Sequence, residues 1–245
     1  MSPTVWIKPG ILILFGASLD ATDHAHHSIQ LAWPTGTSRC LVDNQEIEGP
    51  LIINSQVKHQ LQMQAGWILL VEPQSKLGKS LSRRLDSKAI VSFECDASGE
   101  LPCADQSPIR HLLPVMLALN LSFEFDDAHT DLSDRRIEQL AIRLEQATKE
   151  HRLSPAQWKA CDISLELGLS EGRFLHLFRE QMGIAWRPYL LWKRTISAIN
   201  AIIAGASATE AAHLAGFSDS AHLSRSFRNL FGMTISQSQT LFHRS

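Results

Sequence analysis

A repeat in the C-terminal half constrains the fold of this chain more than any other feature of its sequence. Four positions return 49 residues later: Phe174, Phe178, Arg179 and Gly183 recur as Leu223, Phe227, Arg228 and Gly232. Just upstream, Gly168-Leu169-Ser170 recurs as Gly216-Phe217-Ser218 after 48 residues, so the second copy has one extra residue in its turn. Each copy predicts a short helix, a glycine turn and a longer amphipathic helix, which together form a helix-turn-helix unit.

Small residues occur where the two helices of each predicted unit would cross. Ser164 and Ala212 each lie four residues before the turn glycine of their copy. Gly168 and Gly216 can adopt the left-handed backbone that such a turn requires. The small residue at the helix crossing and the turn glycine therefore both recur in the second copy.

Each long helix of the repeat has an apolar stripe and an opposite face that is mostly short, polar and basic. We predict the inward residues to be Phe174, Leu177, Phe178 and Met182 in the first copy and Leu223, Phe227, Leu230 and Phe231 in the second. Small side chains at a helix start allow its backbone to enter the major groove of DNA. The predicted DNA-binding residues are Glu171, Gly172, Leu175, His176, Arg179, Ser218, Ser220, Ala221, Ser224, Arg225 and Arg228.

The basic residues of these faces suit two different tasks. Arg225 and His176 can reach base edges, whereas Arg179 and Arg228 suit phosphates. Double-stranded DNA is therefore the predicted partner. The alternative is that both helices are solvated members of an ordinary bundle, although two copies with glycine turns and basic faces are hard to obtain by chance.

The charge distribution agrees with a polyanionic partner for the second half. Residues 1–130 carry nine basic and fourteen acidic residues, a net charge of −5, whereas residues 131–245 carry fourteen and eleven, a net charge of +3. The whole-chain charge of −2 and the 44% hydrophobic content exclude disorder as the main state. No segment approaches the roughly 20 apolar residues of a transmembrane helix.

Capping signals predict the helices around the repeat. Ser133-Asp134 opens a helix whose stripe is Ile137, Leu140, Ala141 and Leu144. Ser154, Pro155 and Gln157 match the first turn of another helix, and Ser207 with Glu210 forms a capping box after Gly205. Arg187-Pro188 opens a long helix with one apolar stripe, formed by Tyr189, Trp192, Ile196, Ile199 and Ile203.

The N-terminal half has the pattern of a β domain. Its predicted strands are Ile11–Ala17, Ile29–Trp33, Leu51–Asn54, His59–Met63, Trp67–Val71 and Ala89–Phe93. Short strands separated by turn residues favour a small barrel or sandwich. A helix over Gln106–Leu119 follows, whose apolar stripe belongs either to the core, which we favour, or to a homodimer contact.

The predicted fold class is α+β, with two domains. Residues 1–125 form a β-rich sensor or dimerisation domain that ends in a helix. Residues 131–245 form an all-α domain of two helix-turn-helix units joined by a linker helix. The acidic stretch within residues 120–133 is the predicted linker between them.

Residues 134–241 resemble the DNA-binding module of AraC/XylS-type transcriptional regulators. The resemblance is strongest from Gly216 to Gly232, where a glycine-aromatic turn precedes a helix ending in Phe-Gly. The stretch Gly168–Arg179 resembles the family's first recognition helix, and Arg194–Ala198 resembles part of its linker helix. The resemblance implies that two helices enter successive major grooves, and that the base readers are Gly172, Leu175, His176, Ser220, Ala221, Ser224 and Arg225.

The sequence also departs from the family near its end. Ile235 occupies a position where the family usually has proline, and Ser238-Gln239 replaces a usual Tyr-Arg pair. These changes weaken the expected C-terminal cap. They also alter a surface that family members use to contact RNA polymerase, which is a further possible partner.

The family often places a cupin-like β-barrel before the DNA module, which fits the predicted strands. His24 and His26 would share a face of an extended segment, as in the metal-binding pair of cupin enzymes, and His59 begins a later strand. The enzyme pattern is incomplete, because no glutamate follows His26 at the expected distance. The predicted effector-binding residues are His24, His26, Trp33, His59 and Trp67.

Three interpretations of these histidines stay open: hydrogen-bonded core residues, contacts to an organic effector, and metal ligands. No metal site and no cofactor are assigned. No serine, cysteine or acid–base constellation suggests catalysis, so the leading prediction is a DNA-binding regulator that responds to a small molecule. The alternative is a cupin-type metal-dependent enzyme with an appended helical domain.

A cytoplasmic location is expected for two reasons. The four cysteines form no CxxC pair. The apolar run Ile11–Ala17 is short and is followed by Asp20 and Asp23, which favours a buried strand over an export signal. A membrane partner is not predicted.

Overall fold

The computed structural model describes residues 4–16, 19–34, 40–47, 49–93, 112–113, 116–117, 119–120 and 132–237. The chain divides into two compact units: Met1–Ala128 together with Arg228–Ser245, and His129–Phe227. The predicted linker lies almost wholly outside the described residues, and the predicted boundary between residues 125 and 131 stays a prediction.

The β part of the first unit contains ten strands within the described residues: β1 (Thr4–Lys8), β2 (Ile11–Gly16), β3 (Leu19–His24), β4 (Ile29–Pro34), β5 (Cys40–Val42), β6 (Gln45–Ile47), β7 (Leu51–Ile53), β8 (His59–Met63), β9 (Gly66–Val71) and β10 (Ile90–Ser92). They form a six-stranded sheet, in the order β1-β2-β9-β4-β7-β10, and a four-stranded sheet, in the order β3-β8-β5-β6. Every strand pairing is antiparallel. The described strands therefore form two sheets and not one closed barrel.

All six predicted strands are present, with each end shifted by one residue at most. Strands β1, β3, β5 and β6 were not predicted. β5 and β6 have only three residues each, and β3 carries polar residues at four of its six positions. Such segments are too short or too polar to show the apolar runs on which a strand prediction depends.

The core of the larger sheet is aliphatic and aromatic. Trp33 and Trp67 are paired across β4 and β9, and both are almost fully buried. Phe15 packs against Trp67, with ring centroids 4.5 Å apart. A helix that the sequence analysis did not predict, α1 (Lys76–Leu85), covers this core with Leu77, Leu81 and Leu85.

The predicted helix over Gln106–Leu119 is described only in part. Residues 112–113 and 116–117 are helical, and Leu112 and Met116 belong to the core cluster of the larger sheet. Leu113 and Leu117 are exposed. In the described part of this helix, one side therefore packs against the core and the other side is exposed to solvent. Most of the other residues of the predicted helix lie outside the described ones.

The second unit is helical, and its last helix ends in the first unit. The helices are α2 (Arg135–Lys149), α3 (Ala160–Glu166), α4 (Glu171–Met182), α5 (Trp186–Ile203), α6 (Ala208–Leu214) and α7 (Ser220–Phe231). Ser207 caps α6 with the predicted capping box, and Asp134 caps α2 by accepting the amide N–H of Arg136. The predicted stripe of α2 is buried, and that of α5 is buried except for half-buried Ile203.

The prediction that a helix begins at Ser154 is wrong. Residues 155–157 form a turn, in which the amide N–H of Gln157 donates to Ser154, and α3 begins only at Ala160. The reason is Trp158, which is buried between these segments. Its indole N–H donates to the carbonyl of Arg152 at 2.9 Å, and its own carbonyl accepts from Trp186 at 3.2 Å. Burying the indole outweighs the capping preference of the Ser-Pro sequence.

No helix among the described residues is long and apolar enough to cross a membrane. Two cysteines lie within the described residues and both are free thiols, Cys40 buried and Cys161 exposed. Burial raises the pKa of Cys40 to about 12.

Candidate functional site

The first helix-turn-helix unit consists of α3 and α4. Gly168 in its turn has φ of +66°, as predicted, and Ser164 is buried where the helices meet. The hydroxyl of Ser170 caps α4 by accepting the amide N–H of Arg173. The buried residues of α4 are the four that the apolar stripe predicted, Phe174, Leu177, Phe178 and Met182.

The second unit consists of α6 and α7. Gly216 has φ of +78°, and Ala212 is fully buried at the helix crossing. The carboxylate of Asp219 accepts the amide N–H of His222 at 2.6 Å, which lowers the pKa of Asp219. The turn between α6 and α7 is one residue longer than that between α3 and α4, as the two displacements of the repeat predicted.

The predicted DNA-binding residues are all on the accessible side of α4 and α7 or just before α7. Leu175 and Ser220 are half-buried, and the other nine are exposed. Within the second unit, the Ser218 hydroxyl lies 3.1 Å from a carboxylate oxygen of Asp219 and 3.2 Å from Nδ1 of His222. Ser218 is therefore engaged in the turn, whereas Arg225 and Arg228 are exposed on α7.

Two cations of the basic C-terminal segment have structural roles instead of a surface role. Lys193 is buried, and its Nζ lies 2.8 Å from the carboxylate of Glu145. Arg194 donates to the carbonyls of Ala215 and Gly216, and its guanidinium lies 4.4 Å from the ring centroid of Phe217. The count of basic residues alone overstated the charge available to a polyanion.

The predicted effector residues fall into two groups. Trp33 and Trp67 belong to the core cluster of the larger sheet. His24, His26 and His59 come together on the smaller sheet and the loop after β3, where all three are buried. One ring nitrogen of each histidine lies within 4.8 Å of those of the other two.

Strand pairing explains why the histidines meet. His24 ends β3, His59 begins β8, and the two are direct partners across these strands. Their ring centroids are 4.2 Å apart, and that of His26 lies 5.6 Å from His24 and 5.7 Å from His59. The position of His59 could not be paired with His24 from sequence, because β3 was not predicted.

All three imidazoles are held in the neutral form by their surroundings. Burial lowers the pKa of His24 to about 4, with a further contribution from His59. Burial lowers the pKa of His26 to about 3 and also lowers the pKa of His59. Neutral imidazole has a nitrogen lone pair available as a ligand.

A comparison with known protein families identifies the second half of the chain. Residues 163–240 match the model of a helix-turn-helix domain. The transcriptional regulator ExsA of Pseudomonas aeruginosa is 31% identical over 109 residues, which are 44% of this chain and 37% of ExsA. Residues 163–240 are therefore a helix-turn-helix domain, the kind of domain that the AraC-type resemblance predicted.

The chain matches little more than a third of the length of ExsA, so the similarity is limited to the helix-turn-helix domain and does not extend to the whole regulator. Structures of ToxT from Vibrio cholerae are similar over nearly the full chain. An apo form has a TM-score of 0.53 with 12% identity, covering 96% of this chain and 98% of ToxT. A form bound to (E)-4-(8-methylnaphthalen-1-yl)but-3-enoic acid has the same TM-score and identity, covering 99% and 100%. These matches confirm a β domain followed by a helical domain.

The end of the helix-turn-helix domain differs from the AraC-type pattern at Ile235, where that family usually has proline. Ile235 is buried, and a helical turn begins at that residue. The amide N–H of Thr234 donates to the side-chain oxygen of Gln237, and the amide N–H of Gln237 donates to the hydroxyl of Thr234. A reciprocal cap thus replaces the predicted weak end, and the Thr-x-x-Gln sequence could have indicated it.

Proposed function

We propose that this chain is a sequence-specific DNA-binding regulator of transcription of the AraC type, acting in the cytoplasm. The observation that carries the proposal is that both long helices of the repeat bury their apolar stripe, except for half-buried Leu230 in α7, and leave the polar, basic face accessible. Had either basic face been buried, DNA could not reach it.

The two recognition helices have different chemistry. The face of α4 carries Gly172, Leu175 and His176, of which only His176 is a strong hydrogen-bonding group, so this helix suits thymine methyl contacts and shape readout. The face of α7 carries Ser224 and Arg225, which suit hydrogen bonds to base edges. We propose that α7 supplies most of the direct base recognition.

A small-molecule effector is part of the proposal. ToxT, which has the same overall fold, has been solved with a butenoic acid derivative bound. We propose that an effector of this chain binds in the first unit, where His24, His26, His59 and the core tryptophans lie. RNA polymerase contact and homodimer formation are further parts of the proposal that follow from the type of regulator.

Selection from a random duplex library tests the DNA-binding proposal. Full-length protein is expected to enrich one sequence, to protect adjacent major grooves on one face of that duplex, and to bind it at least about 1000-fold more tightly than random DNA. The matched control is the double variant Arg225→Ala, Arg228→Ala. Binding without any sequence enrichment, or equal enrichment by this variant, contradicts the proposal.

A further inference from the structure

The histidine cluster of the first unit has the arrangement of a ligand set. We propose that His24, His26 and His59 bind one divalent first-row transition metal ion, with the side-chain oxygen of Gln30 as a fourth ligand. Three nitrogen donors and one oxygen donor around a tetrahedral or slightly larger site suit Zn²⁺ and its neighbours in the series. The inference names the chemical class of one ligand of the proposed sensor unit, and it is measured without DNA.

The second nitrogen of every ring is already held as metal-binding histidines require. Nδ1 of His24 lies 2.7 Å from the carbonyl of Thr22, that of His26 lies 2.9 Å from Ser28, and that of His59 lies 3.0 Å from Val57. Each Nδ1–H therefore donates to a backbone carbonyl two residues away. This contact fixes the tautomer and leaves the lone pair on Nε2, as in known metal sites.

The backbone behind His24 is fixed within the same unit. The carbonyl of Gly232 accepts from the amide N–H of Thr22 at 3.0 Å and from its hydroxyl at 2.9 Å. The carbonyl of Thr22 that orients the His24 ring is thus part of an ordered segment.

Nε2 of His59 is the clearest sign of an unsatisfied site. This atom is buried, since His59 is only 1% exposed, and it has no hydrogen-bond partner. A buried nitrogen lone pair without a donor loses the hydrogen bond that water would give it in the unfolded chain, which destabilises the fold. A metal ion among the three rings would satisfy this atom.

Gln30 provides the second sign. Its Oε1 lies 2.9 Å from Nε2 of His26, whose Nδ1 already faces the carbonyl of Ser28. A neutral imidazole donates only one proton, so in this orientation Nε2 and Oε1 are two acceptors facing each other. Either the amide is turned over, so that its NH2 group donates to Nε2, or a cation lies beside both atoms, in which case a tetrahedral ion would widen their separation by about 0.4 Å.

The spacing is compatible with a closed site. For metal–nitrogen bonds of about 2.0–2.1 Å in tetrahedral geometry, ligand nitrogens lie about 3.3 Å apart. The present upper separation is 4.8 Å. The rings therefore draw together by about 1.5 Å at most on binding, within the reach of side-chain rotation on a fixed backbone.

Titration of untagged, chelator-treated full-length protein with Co²⁺ and Zn²⁺ tests the site. We expect about one equivalent of Co²⁺ to bind and to give visible d–d absorption, which Zn²⁺ then abolishes. The variants His24→Gln, His26→Gln and His59→Gln should each lower the affinity by about 100-fold or more. The control His213→Ala removes an exposed histidine of α6 and should not change it.

Gln30 gives a test that does not depend on losing a histidine. Gln30→Glu should raise the affinity by about tenfold or more, because a carboxylate is a stronger ligand. It should also make the melting temperature depend more strongly on added Zn²⁺, since an uncompensated buried carboxylate destabilises the fold. Gln64→Glu, at an exposed position after β8, is the matched control and should change neither.

Two outcomes would overturn the proposal. One is stoichiometric binding that persists in a folded variant lacking all three histidines. The other is wild-type protein that binds no Co²⁺ or Zn²⁺ at micromolar concentrations while it still binds its selected DNA, which would leave the proposed regulatory function intact. A protein that binds the metal ion but no DNA would contradict the proposed regulatory function and leave the metal site intact.

Discussion

Arg225 and Arg228 lie on the same exposed face of α7, three residues apart, and we expect them to act differently on DNA. Arg225→Ala should relax the base preference at about one position and cost about 1–3 kcal/mol on the selected duplex, because a bidentate contact to a base edge is lost. Arg228→Ala should weaken binding to all sequences alike. Competition assays with single-base variants of the selected duplex measure both effects.

An unchanged base preference in Arg225→Ala would show that another residue of α7 reads the DNA. The exposed Ser224, which precedes Arg225, would then be the first candidate.

Arg194 has a structural role that the sequence did not reveal. Its guanidinium reaches two carbonyls after α6 and stacks on Phe217, which ties α5 to the second helix-turn-helix turn. Arg194→Lys should destabilise the protein by about 1–3 kcal/mol, because an ammonium cannot reproduce both the fork and the stacking. Thermal unfolding measures this loss.

Arg187→Lys provides the comparison for Arg194, since Arg187 is exposed on the same helix. Its effect should stay within about 0.5 kcal/mol. Equal melting temperatures for the two variants would refute the role assigned to Arg194.

At the scale of the secondary-structure elements, the two turn glycines are equivalent in sequence and different in surroundings. A Cβ at Gly168 would meet nothing within 4 Å, whereas a Cβ at Gly216 would lie 2.8 Å from the carbonyl oxygen of Leu153. Gly168→Ala should cost about 1–2 kcal/mol, the penalty for a left-handed alanine. Gly216→Ala should cost about 2–5 kcal/mol, because a clash with fixed backbone adds to that penalty.

Chemical denaturation of the two alanine variants, monitored by far-UV circular dichroism, measures the loss in the free energy of unfolding for each. If Gly168→Ala proved the more harmful, the contact between the second turn and Leu153 would not exist in solution.

Periodicity and capping predicted most elements because their signals are local. The stripe of α4, the capping box at Ser207 and the turn glycines all depend on residues close in sequence. The helix expected at Ser154 was wrong because burial of Trp158, a tertiary effect, decides where that chain segment turns. Helix α1 could have been found from Leu77, Leu81 and Leu85, which repeat every four residues.

The histidine cluster was predictable only in part. His24 and His26 are two residues apart, so their proximity could be read from sequence. The contribution of His59 depends on the pairing of β3 with β8, and the orientation of each ring depends on a backbone carbonyl. Neither strand register nor side-chain hydrogen bonding has a sequence signature at this site.

At the scale of the whole molecule, DNA affinity should depend steeply on salt. The exposed arginines after residue 170 within the described residues are Arg173, Arg179, Arg187, Arg225 and Arg228. If each neutralises one phosphate, the logarithm of the association constant should fall with the logarithm of salt concentration with a slope of about −4.5. Fluorescence anisotropy over a salt series measures this slope.

Arg228→Ala should make the slope shallower by about 1, since one phosphate contact is lost. Arg83→Ala, which removes an exposed arginine of α1, should leave it unchanged. A slope near zero for the wild-type chain would instead favour a protein-binding role for the helical half.

The close packing of Gly216 against Leu153 and Pro155 limits how the two helix-turn-helix copies can be rearranged. The turn of the later copy packs on chain that precedes the earlier copy, so the later copy is not a self-contained module. A shortened chain that kept only the later copy would lose this packing contact, and exchanging the order of the copies would move Gly216 away from Leu153. The duplication can therefore diversify by point substitution on its outer faces more readily than by shuffling its parts.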